Sequence, residues 1–304
     1  MHDIIIIGGG PAGLTAALYA RRAGKTALVI EKNTFGGQIV WSPKVENFPG
    51  FASVSGLELG DKFMAQAMDA GAELELDEVT DVTRDPDSFL VRTAVSGDFY
   101  ARAVIFATGA EPRRLGLPNE EKFIGAGISF CAVCDGEFFR GSDVAVVGGG
   151  NTAFQEALYL SDICNHVHLI HRRTTFRADT SLVELVNRRA NVHYHTPAEV
   201  VALQGTDQLQ AITIRSLSDT TEEVLPVDGL FVAVGHTPLT GIVQKFSLLD
   251  TYGYVCADES TLTDTPGVFV AGDCRKKSVR QLTTAASDGA CAAMAACHYL
   301  DSLA

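Results

Sequence analysis

Four consecutive isoleucines, Ile4 to Ile7, form an unbroken apolar run near the start of the chain, the pattern of a strand buried on both faces. A glycine-rich turn follows, then Leu14, Ala17 and Leu18 at the spacing of one helix face, then a second apolar run that ends at Glu31. Strand, turn, helix, strand predicts a βαβ unit. The same order returns from Val144 to Val147, through a second glycine turn and a helix over NTAFQEALYL, to a strand that runs into His171. Late in the chain VFVAGD predicts another strand, ending at Gly272 and Asp273, followed by a loop and a long Ala-rich helix. Ser287, Asp288 and Gly289 interrupt that helix, so it reads as buried in protein and not as a membrane span.

The two turns carry candidate chemistry. Gly8, Gly10 and Gly13, with Pro11 and Ala12 between them, match G-x-G-x-x-G. The first glycine permits the tight turn, the second lets a pyrophosphate approach the backbone, and the third lets helix pack on strand. Phosphates then lie at a helix N-terminus, where free N–H groups favour anions. Glu31, beside Lys32, stands where an acid can accept hydrogen bonds from ribose hydroxyls. In the second turn Gly148, Gly150 and Ala153 take the glycine positions, with Asn151 and Thr152 between, and His171 fills the place of the acid. Arg172, Arg173 and Arg177 follow it, and guanidiniums offer a 2′-phosphate bidentate hydrogen bonds where an acid would repel it. The second site is therefore expected to take NADP(H), and the first a dinucleotide without that phosphate.

Composition narrows the class. A length of 304 residues suits two domains, and a net charge of −13 opposes nucleic acid or an anionic membrane as partner. With no basic leader, and an apolar run too short to span a bilayer, a cytoplasmic location is expected. Of seven cysteines, five are scattered singly at 164, 256, 274, 291 and 297, a reduced-compartment pattern that reads as packing. His193, His195 and His236 have no partner pattern and read as structural. The other two cysteines form a CxxC in SFCAVCDGEFFRG, Cys131 and Cys134, followed at once by Asp135.

Taken together, GGGPAGLTAALYARRAG, GGQ at 36–38, ENFPG, ATGA at 107–110, CAVCDG, GGGNTAFQEALYL, HRRTTFRA, VGHTP and VFVAGDCR with RQLTTAASDG closely resemble the low-molecular-weight thioredoxin reductases, end to end. The resemblance implies an α/β fold of two Rossmann-like dinucleotide-binding domains, the second inserted into the first: FAD-binding over 1–113 and 243–304, NADPH-binding over 114–242. It assigns FAD contacts to the first glycine loop, Glu31, Lys32, Gly37, Gln38 and Asn47. It adds Ala107, Thr108 and Gly109, and at the far end Gly272, Asp273, Arg280 and Gln281. The second loop, His171 and the three arginines would hold NADPH. A homodimer and a thioredoxin or thioredoxin-like partner are implied as well. Phe154, Gln155 and Leu239 depart from the residues common in the family, Val, Glu and Asn.

For the CxxC, zinc, a structural staple and redox chemistry compete. Zinc needs a second pair of ligands, and the next candidates, Cys164 and His166, lie far along the chain. A staple over so short a loop stabilises little. Redox remains, since a vicinal pair alternates between dithiol and disulfide with little backbone movement. The resemblance gives Cys134 the flavin-facing role and Cys131 the attack on the partner's disulfide, with Asp135 as the acid that protonates the leaving thiolate. It also implies rotation of the inserted domain about linkers near 110–117 and 235–243. Rival readings are a ferredoxin-dependent or small-molecule dithiol oxidoreductase of the same fold, which needs no 2′-phosphate site, and a non-catalytic flavin redox sensor.

Overall fold

The computed structural model describes residues 1–42 and 44–303. The chain forms two compact units, Met1–Glu111 with Thr237–Ala304, and Pro112–His236. The first begins with β1 (His2–Ile7), α1 (Pro11–Arg22), β2 (Ala27–Glu31), α2 (Gly56–Asp69), β3 (Glu73–Leu76), β4 (Val79–Arg84), β5 (Phe89–Thr93) and β6 (Asp98–Phe106). The chain leaves through β7 (Ala110–Pro112) into α3 (Glu120–Phe123), β8 (Ile128–Ser129), α4 (Ala132–Asp135), β9 (Asp143–Val147) and α5 (Asn151–Ser161). It continues with β10 (His166–Ile170), α6 (Thr180–Asn187), β11 (Val192–His195), β12 (Ala198–Gly205), β13 (Leu209–Ser216), β14 (Glu222–Pro226) and β15 (Gly229–Val232). It returns through β16 (His236–Pro238), which pairs with β7, to β17 (Val268–Val270) and α7 (Leu282–Ser302).

In the first unit the sheet runs β3-β2-β1-β6-β5-β4, and β17 pairs parallel with the end of β6. Successive side chains of a strand point to opposite faces, so the isoleucine run divides between two cores. Ile4 and Ile6 pack with Leu14 and Ala16 of α1 and Ala292 and Ala296 of α7, whereas Ile5 and Ile7 join Val82, Val91 and Phe106 on the other face. Each fully buried isoleucine contributes roughly 1.5–3 kcal/mol of transfer free energy. Helix α7 lies against α1 at Gly289, where a Cβ would come within 2.1 Å of the Ala12 carbonyl oxygen. Only glycine allows that approach.

The inserted unit has a parallel sheet β11-β10-β9-β15-β8 and an antiparallel sheet β12-β13-β14. Val144, Val146, Val167 and Leu169 face Phe154 and Leu160 of α5, while Ala145 and Ile170 face Ile212, Ile214 and Leu225. The two crossings fall earlier than expected from sequence, at 111/112 and 236/237. The reason is local: the Leu239 N–H donates to the Gly109 carbonyl at 3.0 Å, the Thr240 hydroxyl donates to the Gly253 carbonyl at 2.7 Å, and Val243 is fully buried in the first unit's core. Among the described residues no helix is long and apolar enough to cross a membrane.

Candidate active site

The first glycine loop joins β1 to α1. Gly8 has φ 111°, and a Cβ there would lie 2.3 Å from the Ala107 carbonyl oxygen, while one on Gly13 would lie 1.8 Å from that of Gly8. Gly10 is different: the nearest atom to its Cβ position is Gly37 Cα at 3.9 Å, so its surface is open to a ligand. Pro11 opens the helix, and no side chain caps it at Gly10. The Ala12 and Gly13 amides therefore stand among the unpaired donors of a first turn, which favour an anion. Glu31 is buried at the end of β2, its two carboxylate oxygens accepting the Gly9 amide at 2.6 Å and the Asn33 amide at 2.9 Å. These bonds aim the carboxylate and leave it lone pairs for a hydroxyl.

Other residues of this set lie on segments reaching the same sheet ends. Gln38 donates to the Ala110 carbonyl at 2.5 Å, and Thr108 donates to that of Leu239 at 2.6 Å. Gly109, at φ 72°, has open space where a Cβ would be. Asn47 donates to the Gln281 side chain at 3.2 Å, and Gln281 caps α7 through a capping box with Thr284. The Arg280 guanidinium stacks over Tyr254 at 4.1 Å, beside Asp273. Gly272 has φ 78° and donates its N–H to Asp288 at 3.0 Å. Lys32 turns instead to Glu111, 3.6 Å away on the surface.

The second loop repeats the design between β9 and α5. A Cβ on Gly148 would meet the Ala233 carbonyl oxygen at 2.5 Å, which leaves no room for a side chain, whereas Gly150 faces open space and Ala153 is buried. The exposed Asn151 exchanges two hydrogen bonds with Asp179, at 3.0 and 2.8 Å, and Thr152 is exposed beside it. The His171 ring fills the space over Gly149, and burial lowers its pKa, so a neutral ring stands where Glu31 stands in the first site. Arg172, Arg173 and Arg177 are exposed and form no ion pair with an acid among the described residues. Phe176, between them, meets buried Phe154 edge to face with ring centroids 4.8 Å apart. Thus Phe154 braces the arginine loop from below.

Cys131 and Cys134 form a disulfide across the first turn of α4, Cα atoms 5.3 Å apart, with Cys131 at the N-cap and Cys134 exposed. The amides of Cys134 and Asp135 both donate to the Cys131 carbonyl, at 3.2 and 3.1 Å. Ser129 ties the turn together: its hydroxyl donates to Asp135 Oδ2 at 2.6 Å and accepts the Cys131 amide at 3.1 Å. The other Asp135 oxygen, Oδ1, is buried with no partner among the described residues, and burial raises the pKa of the carboxyl. Burial favours the protonated form of this carboxyl, the form that can donate a proton beside a disulfide. Beneath the turn, Glu156 of α5 accepts the Ala132 amide at 3.4 Å, its second oxygen also lacks a partner there, and burial pushes its pKa up to about 7. Cys164 is buried with its thiol on the Phe139 carbonyl and its pKa pushed up to about 11, which makes it unreactive.

Several residues of consequence escaped the sequence reading. Ser129 and Glu156 gave no signal beyond an isolated hydroxyl and an acid in an apolar helix. Asp288, read only as an interruption of α7, is buried and pairs with Arg275 at 2.8 Å and Lys277 at 3.1 Å, holding the loop after Gly272. The unpatterned histidines pair across strands, His193 with His166 and His195 with His168.

The family model for pyridine nucleotide-disulphide oxidoreductase matches residues 2–289. A thioredoxin reductase of Listeria innocua is 41% identical over 100% of this chain and 95% of the relative, and one of Treponema pallidum is 41% identical over 99% and 98%. The crystal structure of thioredoxin reductase from Streptococcus pyogenes superposes with a TM-score of 0.93 at 38% identity, covering 99% of each chain. On full-length identity of this order, and with two glycine loops and a CxxC disulfide in place, the chain belongs to the pyridine nucleotide-disulphide oxidoreductases and, within them, to the thioredoxin reductases.

Proposed function

We propose that the chain is an NADPH-dependent thioredoxin-disulfide reductase that carries FAD in the split unit and passes two electrons through Cys131 and Cys134 to thioredoxin or a thioredoxin-like protein. The observation that carries this reading is the disulfide at the N-terminus of α4 with the unpartnered Asp135 oxygen beside it, in the same unit as the Arg172, Arg173 and Arg177 loop.

Both dinucleotides fit the residues present. The open surfaces at Gly10 and Gly150 admit a pyrophosphate against backbone, Glu31 suits a ribose without a 2′-phosphate, and the unpaired arginines suit one that has it. When bound, nicotinamide and flavin supply the hydride and the electron pair that reduce the disulfide. The chain's own residues do the rest. Cys131, as thiolate, attacks one sulfur of the acceptor disulfide, forming a mixed disulfide and expelling the other acceptor sulfur. Cys134 then attacks the Cys131 sulfur, which reforms the Cys131–Cys134 bond and releases the second acceptor sulfur, so two electrons leave the pair and two enter the acceptor. Asp135 protonates a departing thiolate, and Ser129 keeps its carboxyl turned to the turn. The protein acts as a cytoplasmic homodimer in this reading.

Anaerobic titration of the purified protein with NADPH and with NADH, followed by thioredoxin, tests it. Bleaching of a flavin band by low NADPH, much higher NADH demand and reoxidation by thioredoxin are expected. A colourless protein, or a flavin that NADPH does not bleach, overturns the reading. Bleaching without onward transfer to any disulfide favours a sensor.

A further inference from the structure

We propose that the histidine ladder on β10 and β11 of the inserted unit is a binding site for divalent transition-metal ions of the Ni(II) or Cu(II) type, one ion to each cross-strand pair. Neighbouring parallel strands place His168 in register with His193, so His166 and His168 share one face with His193 and His195. His166 Nδ1 lies 3.0 Å from His193 Nε2, and His168 Nδ1 lies 3.0 Å from His195 Nε2. In the metal-free protein each contact is an N–H···N hydrogen bond. The same separation suits two ligands of one ion once the rings turn to aim their lone pairs at a common point: with metal–nitrogen bonds of about 2.05 Å, nitrogens 3.0 Å apart subtend roughly 94°. Tetragonal sites of nitrogen and oxygen, with neighbouring ligands near a right angle, are those of Cu(II) and Ni(II).

Two further observations point to a cation here. Asp143 of β9 stands in register with His166, is near enough to act on the charge of His168, and keeps one buried carboxylate oxygen without a partner among the described residues. An open cavity of about 250 Å³ adjoins His195 and is lined also by Thr196, Ser216 and Glu223, which leaves space for an ion's remaining waters beside a second carboxylate. Access is free, since His166 and His193 are exposed and His168 and His195 half-buried. Among the described residues no three metal-ligating side chains form one cluster, so each ion takes two imidazoles from the chain and completes its shell with water, and Asp143 and Glu223 act as nearby negative charges and not as ligands. His195 also accepts the His171 amide through its carbonyl, at 3.1 Å, so an ion on the inner pair braces the strand ends that lead into the arginine loop.

Calorimetric titration of the tag-free, oxidised holoenzyme with Ni(II) tests the site. Two ions per chain are expected to be lost when His166, His168, His193 and His195 are all replaced by Gln, and one with either pair variant, His166→Gln/His193→Gln or His168→Gln/His195→Gln. The N-terminal amine and His2 remain in every variant and so cancel from the comparison. A rise in melting temperature with Ni(II) should accompany binding in the parent and vanish in the fourfold variant. The exposed outer-pair variant keeps the test alive if the fourfold variant folds poorly. Equal uptake by parent and variants, or no uptake by the parent at millimolar Ni(II), overturns the proposal.

Discussion

Glu156 accepts the amide of Ala132, a residue lying between the two redox cysteines, at 3.4 Å, from the middle of a helix whose N-terminus carries the second glycine loop. Its carboxyl is buried, and its pKa stands near 7 against an ordinary 4.5. An acid whose folded pKa is raised holds its proton more tightly in the native state, so it costs almost nothing below pH 4.5, destabilises progressively between pH 4.5 and about 7, and levels off above. The cost at pH 8 is roughly 3 kcal/mol. Glu156→Gln keeps an acceptor without the charge. Urea unfolding should show parent and variant alike near pH 4.5 and the variant more stable by up to about that amount at pH 8. A difference independent of pH would show that Glu156 does not titrate in this range.

Asp135→Asn should lower thioredoxin turnover by about two orders of magnitude, the usual contribution of a placed proton donor, while reduction of the flavin by NADPH proceeds at the parent rate. Stopped-flow measurement of the two half-reactions separates them. Because burial raises the Asp135 pKa, the parent's thioredoxin turnover should fall as the pH is raised past it, and the variant should lose that limb.

Replacing Cys131 with Ser should abolish thioredoxin reduction and spare hydride transfer. The remaining Cys134 thiolate should give a long-wavelength charge-transfer band with oxidised flavin. Thioredoxin reduction retained in this variant would reverse the order assigned to the two sulfurs.

Charge-assisted hydrogen bonds contribute about 1.5–3 kcal/mol each. Arg172→Ala with Arg177→Ala should therefore raise the KM for NADPH by about a hundredfold or more and leave that for NADH nearly unchanged. Steady-state kinetics with both nucleotides decide it: equal losses would mean that the arginines hold the fold and not the phosphate.

Phe154→Val should open a cavity under Phe176. A stability loss of about 2 kcal/mol is expected, together with a several-fold higher KM for NADPH as the arginine loop loosens. An unchanged KM would show that the loop holds its shape without the ring.

Much of the fold was legible because it rests on local pattern. Ile4 to Ile7, the glycines at 8, 10 and 13, and the arginines after His171 each report their structure within a few residues. The rest depends on partners brought from far along the chain. Asp288 looks like a blemish in an Ala-rich helix until Arg275 and Lys277 fold back on it. Glu156 looks solvated until α4 covers it, and the histidines look scattered until strand register sets His168 beside His193. The linker near 235–243 was visible in its Gly and Pro, but the hydrogen bonds of Leu239 and Thr240 and the burial of Val243, which tie this stretch to the first unit, come from partners far along the chain.

The contact between Gly289 and Ala12 also sets an order of events during synthesis. On a ribosome the inserted unit has its entire sequence available before α7 exists, and contiguous domains fold as units while the chain is still growing. The face of β1 that bears Ile4 and Ile6 must wait, uncovered on the side α7 will occupy, until the last segment emerges. The nascent first unit is thus the aggregation-prone species, and chaperone engagement should peak after the inserted unit has formed and before α7 is released.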